Sequence, residues 1–276
     1  MGHAGTLDPE ATGVLPICLG QGTRIAEFLT AGTKTYQAQI ELGTVTDTYD
    51  ATGKVIQQED PSSVTRQEVE SALTTFLGLI EQTPPIYSAI KYHGKRLYQL
   101  ARAGFEVERK ARKVETLRLD LIDWDPPLVT IEVECGKGTY IRSLAHDLGQ
   151  KVGCGAHLKS LIRLKCGPFF LKGAIPLSQL ESAFHEGWWQ DLLHPIDSVL
   201  LQWQATILGG VNERAVRNGR CLRFEEGKQQ VAGNYLEYCR AYSLDGCFLA
   251  VLRFCAETGL WHPEKVFLHS LEPHQG

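Results

Sequence analysis

A chain of 276 residues with 43% hydrophobic and 22% charged side chains has the material for one large folded domain or two unequal ones. No apolar run reaches the length of a membrane-crossing helix and no signal peptide precedes the sequence, so the cytoplasm is the expected compartment. The formal net charge of −4 argues against a polyanionic partner only if the charges are evenly spread.

The opening MGHAGTLDPEATG frames an Asp-Pro pair with Gly2, Gly5 and Gly13, residues suited to positive φ or to close backbone approach. Asp8-Pro9-Glu10 fits either a helix N-cap or a turn. KTYQAQIEL alternates, with Tyr36, Ala38, Ile40 and Leu42 on one side, which predicts a half-buried strand. TDTYD, from Thr46 to Asp50, reads as a turn that hydrogen-bonds its own backbone rather than as a metal-binding carboxylate pair.

TRQEVESALTTFLGLI is a predicted helix with a Thr65–Glu68 capping box and apolar Val69, Leu73, Phe76 and Leu77 at helical spacing. The proline- and glycine-bearing stretch that follows reads as an excursion from a sheet, spanning about 84–113. LRLDL, from Leu117 to Leu121, and VTIEVEC predict adjacent antiparallel strands around the turn DWDPP. TYIRSLAHDLGQKVG predicts a helix with Ile141, Leu144, Leu148 and Val152 on one face and Gly153 closing it.

This alternation lacks a βαβ rhythm, so the expected fold is α+β, a mixed, mostly antiparallel sheet flanked by helices. Near residue 200 the texture shifts to short β-rich runs, YLEYCRAYS and CFLAVLRFC, with turn signals at Gly233 and at Asp245-Gly246. The expected division is a domain over 1–200 and a small β-rich domain over 201–276.

The charge is segregated. Between Lys91 and Lys113, eight basic residues (Lys91, Lys95, Arg96, Arg102, Arg109, Lys110, Arg112 and Lys113) face only Glu106 and Glu108. Between Lys137 and Lys165, six basic residues face one acid, Asp147. The first run interleaves Tyr92, Tyr98 and Phe105 with its cations, which suits phosphate tracking and base stacking. The eight cysteines contain no Cys-x-x-Cys pair and several sit in strand-like runs, so core packing is expected of them. His3, His93, His146 and His157 show no ligand spacing, and GKGT (Gly136 to Thr139) lacks the rest of a phosphate loop. No metal or cofactor is expected.

Five blocks carry a further signal: GHAGTLDPEATGVLPICLGQGTR, KTYQAQIELGTVTDTYDATGKV, QTPPIYSAIKYHGKRLYQLARAGFEVERKAR, VECGKGTYIRSLAHDLG and GCGAHLKSLIRLKCGPF. In this order, over residues 2–170, they resemble the TruB-type tRNA pseudouridine synthases. GLWHPEKVFL, near the end, looks like the last strand of the PUA-type RNA-binding domain that these enzymes carry.

The resemblance implies that uridine-55 in the T-loop of tRNA is flipped out and isomerised to pseudouridine, without cofactor or metal. By similarity Asp8 is the nucleophile and Arg142 the cation that keeps it charged. Tyr36 is the aromatic that stacks on the uracil, and an orienter or base for the later loss of the C5 proton. Leu161 would line the pocket, His3 would lie near the target loop, and Asp47 would hold its own loop. The insertion from Tyr87 to Lys113 would clasp RNA. Lys34, Tyr87, Lys91, Lys95, Arg96 and Arg109 are the expected substrate contacts, and Arg220, Arg223 and Arg253 would face the acceptor stem.

The implied partner is the tRNA T-arm, bound by a monomer with no obligatory protein partner and no membrane, in a bacterial or organellar setting. Family members carry a Lys-Pro-containing strand and a helix ahead of the first block, so a truncated or mis-started chain is expected. The alternative reading is an RNA-binding or RNA-folding protein of this family with impaired catalysis.

Overall fold

The computed structural model describes residues 1–88, 91–92, 94–97, 109–224 and 237–267. These form two compact units, one made of Ala4–Pro16 with Leu29–Pro176, the other of Met1–His3, Ile17–Phe28 and Leu177–Gly276.

Along the chain come β1 (Thr12–Gly13), α1 (Ala26–Ala31), β2 (Lys34–Leu42), α2 (Arg66–Thr74) and β3 (Gly78–Gln82). They are followed by β4 (Arg112–Asp125), β5 (Leu128–Cys135), α3 (Ile141–Val152), β6 (Ala156–Cys166) and β7 (Phe169–Phe170). The larger unit is built on a seven-stranded sheet in the order β7-β6-β2-β5-β4-β3. Those pairings are antiparallel, and β1 adds to β6 in parallel, so the mixed, mostly antiparallel sheet is as expected.

Alternation in β2 works as its pattern predicts. Ala38 and Ile40 lie opposite Ile131 and Val129 of β5, so their side chains share one face. Val69, Ala72 and Leu73 of α2 and Ile141, Leu144 and Leu148 of α3 close over that face in a continuous core. The capping box of α2 is present, with both Thr65 and Glu68 bonding back as the sequence predicts.

The end of α2 differs from the prediction. The helix stops at Thr74, and Gly78, at φ +79°, turns the chain into β3. Leu77, which extended the apolar rhythm, is 45% exposed, so its spacing reports no buried face. Among the described residues, the edge strand β3 pairs with β4 alone.

Gln82 of β3 lies opposite Arg112 of β4, so the insertion leaves and rejoins the sheet at a single rung. Within it, Lys91–Tyr92 and Lys95–Arg96 form a short antiparallel hairpin. Tyr98, Arg102, Phe105, Glu106 and Glu108 lie outside the described residues, as do His93 and Gly233.

The other unit contains α4 (Leu177–Glu186), β8 (Gln204–Ile207), α5 (Gly210–Arg217), β9 (Tyr238–Tyr242), β10 (Phe248–Cys255) and β11 (Leu260–Val266). Its four-stranded sheet runs β8-β9-β10-β11 and packs Leu249 and Leu252 against Leu208, Val216 and Trp261. This unit takes in Leu177 onward, upstream of the compositional shift near residue 200. Five of the eight cysteines are buried, among them Cys135 and Cys239 in strands. Among the described residues no helix is long and apolar enough to cross a membrane.

Gly13 shows why the opening loop needs glycine. Its φ is +105°, and a Cβ there would stand 2.3 Å from the Arg163 carbonyl oxygen, a backbone atom with nowhere to move. Gly78 also has positive φ, but open space surrounds it. Gly78→Ala is therefore expected to lower stability by about 1 kcal/mol. Gly13→Ala should lower it by roughly 3 kcal/mol or more, because strain and a backbone clash add. Paired urea denaturation curves check the ranking.

Candidate active site

The Asp8 loop is moored to one arginine. Arg163 of β6 is 1% exposed, and its guanidinium donates to the carbonyls of Val14 at 2.6 Å and Gly5 at 3.0 Å. The Val14 amide donates back to the Arg163 carbonyl at 2.9 Å. Between these moorings the Asp8 carbonyl accepts from the Ala11 amide at 2.9 Å, which makes Pro9-Glu10 the corner of a turn. No helix follows, so Asp8 is a turn residue and not a cap.

A second arginine meets the Asp8 side chain. Arg142, one residue into α3, is 5% exposed. Its Nη2 donates to Asp8 Oδ1 at 2.9 Å and to the Tyr87 carbonyl at 3.0 Å, while Nη1 donates to Asp50 Oδ2 at 3.3 Å. The Asp8–Arg142 pair expected from the resemblance is thus formed in this structure.

Asp50 is the member of this cluster that sequence reasoning missed. Its Oδ1 accepts from Thr48 Oγ1, the Thr52 amide and Thr52 Oγ1, which is the self-bonding turn the sequence suggested. That arrangement leaves Oδ2 aimed at Arg142. Nothing local distinguishes such a carboxylate from an ordinary turn residue. Asp47 accepts the Lys54 amide at 2.8 Å and holds its loop.

The electrostatics of Asp8 are a contest. Loss of water raises its pKa above the ordinary 3.8 and is the largest influence, although 37% of the side chain remains exposed. Arg142 pulls the pKa down through charge and hydrogen bond, Asp50 pushes it up, and the outcome is upward. The arginine therefore opposes a shift that burial and the second carboxylate still win.

Asp8, Asp50, Arg142, Leu158, Ser160 and Leu161 line a narrow cleft of about 40 Å³. Leu161, 8% exposed, thus stands where a pocket wall was expected. Tyr36 packs against the core beside Arg163, and burial pushes its phenol up to about 12. A phenol that stays protonated can stack and donate, but must lose its own proton before accepting another.

The remaining expected contacts are dispersed. The Lys34 ammonium donates to the carbonyls of Leu29, Thr30 and Gly32 at 3.3, 2.6 and 2.6 Å, capping the end of α1, and these bonds support a structural role. His3 is exposed, belongs to the other unit, and pairs with Ile17. Tyr87 offers its carbonyl to Arg142. Arg109 Nη1 donates to the Pro84 carbonyl at 3.2 Å. The side chains of Lys91, Lys95 and Arg96 lie outside the described residues. Among the described residues no cluster of His, Cys, Asp or Glu is placed to hold a metal ion.

Residues 1–141 match the model of the TruB family pseudouridylate synthase N-terminal domain, and residues 142–201 match the tRNA pseudouridylate synthase B C-terminal domain. The chain belongs to the TruB family. It is accordingly a pseudouridine synthase, an isomerase. A protein of Dehalococcoides mccartyi named tRNA pseudouridine synthase B is 44% identical over 269 residues, 97% of this chain and 87% of the relative. One of the same name from Geobacillus thermodenitrificans is 43% identical over 97% of this chain and 90% of its own length. That from Pseudomonas aeruginosa is 49% identical over 73% of this chain and 67% of its own length.

The fold is similar to a chain in the crystal structure of a Cbf5-Nop10-Gar1 complex, with a TM-score of 0.71 and 23% identity, covering 97% of this chain and 76% of that one. It is also similar to a chain in an H/ACA RNP bound to a substrate RNA containing 2′-deoxyuridine, with a TM-score of 0.69 and 21% identity at the same coverage. At that identity the likeness speaks to the fold.

Because the shift on Asp8 is upward, its ionised form is populated only above a midpoint higher than 3.8. Carboxyl-carbon NMR titration should find that midpoint. Asp50→Asn should lower it, by removing a like charge, and Arg142→Met should raise it further, by removing the opposing cation.

Proposed function

We propose that this TruB-family chain isomerises uridine-55 in the T-loop of tRNA to pseudouridine, with Asp8 as the nucleophile. The observation that carries the reading is the 2.9 Å contact between Asp8 and the buried Arg142 at the cleft wall. A fixed guanidinium orients one carboxylate oxygen and favours its charged form, as a nucleophile requires. The glycosidic N1–C1′ bond breaks, the uracil turns in place, and C5 bonds to C1′. The proton on C5 then leaves to a base, for which Tyr36 is the candidate once its own proton has moved.

Bringing a flipped uridine to this cleft carries an unstacking cost of a few kcal/mol. Phosphate contacts from the basic insertion, with Lys91, Lys95, Arg96 and Arg109 as the proposed cations, offset that cost. The smaller unit is read as PUA-like and gives a second RNA surface. The protein is read as a monomer that needs no protein partner and works in the bacterial cytoplasm, where its substrate is processed.

Tritium release from C5-labelled uridine in tRNA tests the assignment. Asp8→Asn is expected to lower release by roughly a thousandfold or more, while tRNA affinity stays within about threefold. Equal loss of release and binding would remove Asp8 from the chemistry. Tight binding by the unaltered protein with no release would leave an RNA-binding or RNA-folding protein.

A further inference from the structure

Three side chains from separate parts of the chain meet beside Arg142 with no part in the chemistry assigned above. The Tyr49 ring lies flat on the His146 imidazole, centroids 3.9 Å apart and planes 11° from parallel. The Arg109 guanidinium stands 5.9 Å from the centroid of the same Tyr49 ring. Tyr49 precedes Asp50 in its turn, His146 lies one helical turn beyond Arg142 on α3, and Arg109 comes from the returning end of the insertion.

The backbone at Tyr49 shows that this ring is held in place. Its φ is +64°, in the left-handed region that a bulky side chain occupies only when its surroundings insist. Nδ1 of His146 is buried without a hydrogen-bond partner, so stacking fixes that ring. Burial, then Arg109, push the His146 pKa below its ordinary value, which leaves a neutral imidazole that does not repel the nearby guanidinium.

The same cluster grips both ends of the insertion. Arg109, on the returning end, donates to the Pro84 carbonyl on the outgoing end. Arg142 donates to the Tyr87 carbonyl three residues further on, with the guanidinium that also holds Asp8 and Asp50.

We propose that the Tyr49–His146 stack, capped by Arg109, is a positioning clamp that sets both ends of the insertion against the Asp50–Arg142 pair. The segment read as the RNA clasp and the arginine that orients Asp8 then share one mechanical support. The catalytic half of this inference rests on the proposed role of Asp8, and the structural half does not.

The test uses Tyr49→Ala, Tyr49→Phe and His146→Ala in the full chain, with two readouts. In the free protein, amide exchange at Ile86, Tyr87 and Ser88 should be at least about tenfold faster in both alanine variants, with Tyr49→Phe matching the unaltered protein and β2 amides unchanged. In single turnover at saturating tRNA, the alanine variants should be slowed about tenfold, with affinity within about threefold and Tyr49→Phe again unaffected.

Unchanged exchange at 86–88 overturns the clamp, whether or not the protein acts on tRNA. Acceleration spread equally through β2 marks ordinary destabilisation and also overturns it. Faster local exchange with an unchanged single-turnover rate removes the link to Arg142, and weakened binding at an unchanged rate makes Tyr49 an RNA contact instead. An unaltered protein that releases no tritium would sink the proposed function while leaving the exchange result readable.

Discussion

A guanidinium that cannot lose its charge sits almost wholly out of water at Arg142, and the larger unit is arranged around that fact. Burying such an ion costs several kcal/mol unless acceptors surround it. They come from residues 8, 50 and 87, three segments far apart in sequence that converge on the start of α3. Each is a loop, and loops hold such positions only when something fixes their ends. The capping of Asp50 by its own turn and the mooring of the Asp8 loop to Arg163 do this. The charge at Arg142 is thus a folding constraint in its own right.

The two arginines divide the labour by the chemistry of their partners. The Arg163 guanidinium bonds neutral groups, the carbonyls of Val14 and Gly5 and the Tyr36 phenol, so it fixes the loop backbone without engaging a carboxylate. Arg142 shares its donors between two carboxylates, so it is coupled to their protonation. The Asp50 charge makes Asp8 harder to ionise, while the shared cation works the other way. Loss of water is the main cause that lifts Asp8, and the Asp50 charge adds to it against the pull of Arg142.

Much of the fold was legible because its signals are local. The alternation in β2, the Thr65–Glu68 box and the amphipathic stripe of α3 each lie within a dozen residues and needed no partner to be read. The end of α2 was misread because Leu77 keeps the apolar rhythm at a position that is 45% exposed. Asp8 was legible through its sequence block, whereas Asp50 looked like the turn residue it also is. Lys34 shows the converse, since a cation within a telling block is turned toward helix carbonyls that no periodicity reveals. Side chains that serve two masters, or a distant one, escape local reading.

The entry and exit of the insertion at one rung, Gln82 opposite Arg112, carries an evolutionary consequence. A segment whose ends are ladder neighbours can lengthen, shorten or change its composition without altering the register of any other strand. On the roles proposed above, substrate range and reaction chemistry can drift independently in this architecture, the first by rewriting the insertion, the second only by disturbing a buried ion.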